Sequence, residues 1–275
     1  MIVSTNKYKN QTNKMKKQTS QLTLALILLL FNFQSFAQFD NTVSKAKLYD
    51  DALDISIYIQ MLAKDKLYLI SGLKKEKAQD EFDYSLSKIN EAISEIDINE
   101  DDPEIQNQLA KIKKFWIQFN KTAIKDLDYK AYSVMYFQIN TFDRLISDLS
   151  QKMFVKYNFN EKDFETYQDI QKLRKLIQTI TVSYYAKHLN LSQNFLHQYS
   201  KNIEEIDNFI KNKSNVFLNN PSTEKFFQGF ILDWNFFRAN LLHPKLKNPK
   251  SIFSLSNTMD YHLNKVSNKL IDSLK

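Results

Sequence analysis

One spacing constrains this chain more than any other feature. Pro103 and Pro221 are 118 residues apart, and so are Leu109 and Phe227, Ile112 and Phe230, Trp116 and Trp234, Phe119 and Phe237, and Ala123 and Leu241. From Leu109 to Ala123 the steps are three, four, three and four, the stripe that an α-helix turns toward a bundle core. The chain has two tryptophans and four prolines, so both tryptophans and half of the prolines fall on the matched positions. An apolar helical stripe repeated at one offset predicts an internal duplication.

The register extends to both sides. Gly72 in YLISGLKK matches Asn190 in KHLNLSQN, and these are the two residue types that best tolerate the left-handed backbone ending a helix. Beyond that turn the offset becomes 117: Ala78, Phe82, Leu86, Ile89 and Ile93 match Phe195, Tyr199, Ile203, Ile206 and Ile210. NTFD at Asn140 matches NTMD at Asn257, and Ile146, Leu149 and Met153 match Leu263, Val266 and Leu270.

Only two glycines occur and strand-like alternation is absent, so the expected class is all-α. The periodicity predicts helices near 43–71, 75–98, 103–126 and 131–157, then 163–189, 193–213, 221–242 and 250–274. Asp102-Pro103 and Asn220-Pro221 each read as a polar N-cap followed by proline at the first helical position. Short polar connections favour antiparallel neighbours. The expectation is two tandem antiparallel four-helix bundles, residues 38–157 and 158–275. The joining segment NFNEKDF lacks proline and glycine, which permits a nearly continuous helix from one half into the next. The 21 phenylalanines and 14 tyrosines lie mostly on the inward stripes. Core filling is therefore expected of them, with a ligand-stacking platform as the alternative.

Residues 1–37 read as a signal peptide. Five lysines precede a twelve-residue apolar run, Leu22 to Phe33, too short to span a bilayer as a helix, and Ser35 and Ala37 then suit signal peptidase. Cleavage is expected after Ala37 and the location is periplasmic or secreted. A retained anchor is the alternative, and Met15 offers a second start. No cysteine occurs, so the core must hold by packing without disulfides.

Removing that segment changes the charge argument. The chain carries 38 basic and 31 acidic residues, a net +7, but residues 1–37 hold five lysines and no acid, leaving 33 against 31. A balance of +2 with no basic stripe is no nucleic-acid footprint. Metal and catalytic signatures are missing too. None of His188, His197, His243 or His262 has a glutamate three residues before it, as a di-metal bundle requires. HExxH, phosphate loops and G-x-S-x-G elbows are absent. The acidic run NEDDPE at Asn99 suits a solvated helix N-terminus better than a hard cation. No catalytic residue, cofactor or metal is expected.

The segments DISIYIQMLAKDKLYLISGLKKEKAQDEFDYSLSKI, DDPEIQNQLAKIKKFW and INTFDRLISDL follow one another in an order that resembles a known family. That family is the PilJ-type N-terminal sensory domain of type IV pili methyl-accepting chemotaxis transducers, akin to the sensor of nitrate/nitrite kinases. The resemblance covers residues 43–274 as two copies, the second more diverged. It implies a helical sensory module whose first helices pair in a dimer, with an arginine there binding small anions. In the first copy Gln60, Ala63 and Lys64 match the family's stretch, while Asp54, Ser56 and Met61 stand at its arginine positions. In the second, Lys172 and Arg174 occupy two of those positions, Gln178 matches, and Val182 replaces the lysine.

The resemblance therefore implies ligand contacts at Arg174, Lys172, Gln178, Gln60 and Lys64. Arg174, supported by Lys172 and Lys175, is the candidate anion clamp, with a basic solvated helix face as the alternative. Nitrate specificity does not carry over, because an acid stands at one arginine position. The expected function is an exported, non-enzymatic sensory or ligand-binding module. Its expected partners are a small anion or metabolite, a second copy, or a membrane-bound protein. A structural or interaction protein using its helix faces is the second expectation.

Overall fold

In the computed structural model, residues 45–123, 128–189, 191, 199–242 and 248–273 are described. The expected signal peptide, residues 1–37, lies outside them. The described residues form eight helices and no strand. The first, α1, runs over 45–71. It is followed by α2 (Lys75–Asn99), α3 (Pro103–Ala123), α4 (Tyr129–Lys156) and α5 (Glu161–His188). The last three are α6 (Tyr199–Leu218), α7 (Glu224–Leu242) and α8 (Pro249–Ser273). The class is all-α, and the described residues from 46 onward form one compact unit.

Local chemistry sets the helix ends. Gly72 sits at φ +71, and Leu73 N–H donates to Tyr68 C=O at 3.2 Å, closing α1 in the left-handed cap that glycine favours. Leu191 N–H donates to Ala186 C=O at 2.8 Å, the same bond 118 residues later. A Cβ at Gly72 would meet nothing within 4 Å, so substitution there costs backbone strain alone. Gly72→Ala is therefore expected to destabilise by about 1 kcal/mol in urea denaturation. An unchanged midpoint would refute the left-handed turn.

Some boundaries differ from the periodicity: α6 runs to Leu218 where an end at 213 is expected. The join between halves is broken close to the expected ends at 157 and 163, and is not the nearly continuous helix that the segment permits: α4 stops at Lys156 and Asn158 takes φ +55. Phe159 N–H then returns to Phe154 C=O at 3.3 Å. Asparagine supplies the left-handed residue here without glycine. At α7, Pro221 to Thr223 form a turn and regular helix begins at Glu224 instead of 221. Asn220 still caps this entry, accepting from Ser222 N–H at 3.0 Å. Thr223 hydroxyl bonds back to Phe217 C=O at 2.9 Å, which holds the tight turn against α6.

Helices α5, α6, α7 and α8 pack in a ring, each against two others, while α3 packs along α4. Contacts recur across the two halves. Trp116 and Trp234 are buried, and their indole N–H groups donate to Asn90 at 2.7 Å and Asp207 at 2.9 Å. On the fourth helix of each half, Asp143 accepts from Ser56 and Asp260 accepts from Arg174. These partners are offset by 117 and 118, as in the sequence.

Helix α1 lies at the centre, and every residue from 55 to 68 is buried. Helices buried all round are normally apolar all round. This one instead buries Ser56, Gln60, Lys64, Asp65 and Lys66, so its polar groups must find partners on neighbouring helices. It runs beside α5 in the same direction. Asp50 meets Gln171, Asp54 meets Arg174, and Tyr68 meets Tyr185, so both residue numbers rise together along the seam.

Candidate functional site

The α1–α5 seam carries one polar network at its upper end. Tyr167 hydroxyl and Gln171 amide both donate to Asp50, the latter at 3.0 Å. Arg174 is fully buried. Its Nη1 donates to Asp54 at 2.6 Å and Gln171 at 2.9 Å, and its Nε donates to Asp260 at 3.0 Å. Burial alone would lower its pKa, but the two carboxylates hold it above the ordinary value. Burial in turn pushes Asp54 up to about 6, against the pull of the guanidinium. Arg174 is thus held by the protein's own anions through Nε and Nη1 and no part of it is solvated, while its Nη2 has no hydrogen-bond partner among the described residues.

Lys64 lies in a second buried cluster, between α1, α2 and α8. Its ammonium donates to Asn257 Oδ1 and sits 4.9 Å from the centre of the Phe253 ring. Asp65 is 3.5 Å away and Glu81 is 3.8 Å away. The Asn257 amide donates to both oxygens of Glu81 at 2.7 Å. Asp65 is fully buried and neither carboxylate oxygen has a hydrogen-bond partner among the described residues. Burial pushes it up to about 7, with Lys64 opposing.

Gln60 and Lys172 reach a different place. They line a cleft of about 1020 Å³ formed by α4, α5 and α6, with Gln60 contributed from α1. The α5 wall exposes Lys172 and presents Leu176, Thr179 and Ser183. Tyr136, Asn140 and Asp143 line the cleft from α4, and Lys201, Glu204 and Glu205 from α6. Two ion pairs cross it: Lys175 to Asp143 at 2.7 Å and Lys172 to Glu205. Between those helices α5 presents Leu176, Thr179 and Ser183, side chains too short to fill the space. Gln60 is 3% exposed, and its carbonyl oxygen has no partner among the described residues. Gln178 is fully buried, with both amide atoms likewise unpartnered among the described residues.

The five predicted ligand residues therefore fall in separate environments. Two line the cleft, Arg174 and Gln178 belong to the buried interior of α5, and Lys64 fills its own cluster. The sequence reading missed Asp143, Asn140 and the α6 side chains. The repeated NTFD and NTMD segments were the available signal, since Asn140 and Asn257, and Asp143 and Asp260, are their first and last residues. No family model matches the chain, and neither a curated protein nor a solved structure is significantly similar to it.

Proposed function

We propose that this chain is an exported, non-enzymatic sensory or ligand-binding module made of two PilJ-like copies, residues 38–157 and 158–275. The two first helices, α1 and α5, pair within one chain as two copies would in a dimer. The observation carrying this reading is the polar cleft of about 1020 Å³ along α5, at the edge of that seam. Its size suits a small metabolite. The recurrent contacts at offsets of 117 and 118 support the two-copy reading, and the lysine-rich start with its short apolar run supports export. In this reading the cleft takes the ligand, while Arg174 serves the seam.

The test is thermal unfolding of the purified protein against a panel of small anions, amino acids and amines, with Thr179→Trp beside it to fill the cleft. A ligand at 100 times its dissociation constant adds about 2.7 kcal/mol to the folded state, a visible rise in midpoint. A rise lost in Thr179→Trp is the expected result. A panel without any shift, or shifts indifferent to Thr179→Trp, would sink the proposal. An interaction protein is favoured by one other feature, the exposed pair Leu232 and Phe236 one turn apart on α7.

A further inference from the structure

We infer that the cleft between α4, α5 and α6 receives a primary ammonium group, held where its buried counterpart already holds the ammonium of Lys64. This deepens the two-copy reading above and rests on it. In the closed cluster, Lys64 is bound by Asn257, faces the Phe253 ring and has Asp65 beside it. The matched positions are Asn140, Tyr136 and Ser183, and all three line the open cleft. The amide and the aromatic ring are kept, but the residue matching Lys64 is Val182, which has no charge to offer.

The bulk has been removed at the same place. Tyr58 and Met61 are buried and fill the α1 side, whereas their matches on α5, Leu176 and Thr179, are only partly buried and line the cleft. At the Lys64 cluster α1 therefore supplies both the cation and the packing, whereas at the cleft α5 supplies neither and a serine stands in place of Asp65. Gln60 adds an acceptor: its carbonyl oxygen is buried at the cleft without a partner among the described residues. An ammonium has three donors, which the Asn140 amide oxygen, the Gln60 carbonyl and the Ser183 hydroxyl can satisfy. The Tyr136 ring lines the cleft at the position matching Phe253, and the charged lining is balanced, Lys172, Lys175 and Lys201 against Asp143, Glu204 and Glu205, so the neutral acceptors and the ring carry the recognition.

The ammonium can come from a free amine or from a lysine of another protein. Two probes separate these: n-butylammonium, which is the lysine side chain itself, and an end-capped lysine amide. Butyrate and n-butyltrimethylammonium serve as controls lacking the charge or the N–H donors. Calorimetric titration of the purified protein is expected to show binding of n-butylammonium and neither control. Binding confined to the end-capped lysine would identify a protein lysine as the source. Asn140 is exposed, so Asn140→Ala leaves the core intact; it is expected to weaken binding about tenfold or more. Val182→Lys is expected to supply the cation internally and abolish binding.

Binding of butyrate in preference to both amines would overturn the inference, as would amine binding indifferent to Asn140→Ala. The two proposals fail separately. Ligands blocked by Thr179→Trp but not displaced by either amine would refute the ammonium and keep the binding module. A cleft that binds neither the panel nor the amines would refute both.

Discussion

Arg174→Ala is expected to lower the folding free energy by about 3–5 kcal/mol, because it leaves two largely buried carboxylates without their cation. Asp54 and Asp260 both aim at the guanidinium, and Gln171 loses the donor to its carbonyl oxygen at the same time. Desolvating a charge is costly, and the pair exists only because each ion offsets the other's loss of water. Removing the whole network is a different matter. Arg174→Met with Asp54→Asn and Asp260→Asn should recover much of the loss, since no orphan charge remains. Urea denaturation of the two variants measures the contrast. A loss below about 1 kcal/mol for Arg174→Ala would mean that the carboxylates relax to water, as exposed pairs do.

Asp65→Asn is expected to change how stability depends on pH. The folded-state pKa of Asp65 is pushed up to about 7 from an ordinary 3.8. Between those values the folded protein keeps a proton that the unfolded chain has lost, so stability falls as pH rises. Above pH 7 the cost is carried in full, on the order of 4 kcal/mol at about 1.4 kcal/mol per pH unit. More than half of it accrues between about pH 5 and pH 8. Asp54, raised to about 6, contributes with the same sign over a lower window. Asp65→Asn removes its own share, so urea denaturation should show the variant losing roughly 3 kcal/mol less than the parent between those two pH values. Packing differences of the new amide enter equally at both pH values and cancel. Parallel pH profiles for the two proteins would show that Asp65 is ionised and accommodated.

Several features were legible from the residues alone, each through a local cause. Gly72 is a cap because only a residue tolerant of positive φ ends a helix that way. Asp102 caps α3, accepting from Glu104 N–H at 2.8 Å, because a short acid before proline has little else to do. Trp116 and Trp234 lie on the core stripe and are buried. Asn158 was not singled out, although asparagine is the residue besides glycine that most readily takes this conformation. Asn160, two residues on, caps α5 by accepting from Lys162 N–H at 3.1 Å, so two asparagines marked the break.

The candidate site was less legible. Lys172 and Gln60 reach the cleft, yet Arg174, two residues from Lys172, is fully buried and engaged by Asp54 and Asp260. Residues two apart on a helix point in different directions, and the family resemblance placed both at the site by position in the chain. Asp54, Asp143 and Asp260 are ordinary acids in the sequence. Their roles come from partners between 32 and 120 residues away along the chain.

The sequence by itself determined the helices, their approximate ends and the face each buries, because periodicity and capping act within one or two turns. It also carried the spacing of 117 and 118 between matched apolar stripes, since such stripes need no knowledge of contacts. Only the tertiary structure decided that α1 runs beside α5, that α1 is enclosed with a lysine and an aspartate inside it, and that α5 keeps an open polar face. A periodic stripe reports that a face is covered, not which helix covers it. The matched stretches of α1 and α5 share few identical side chains, and packing turns their differences into a filled core on one side and a cleft on the other.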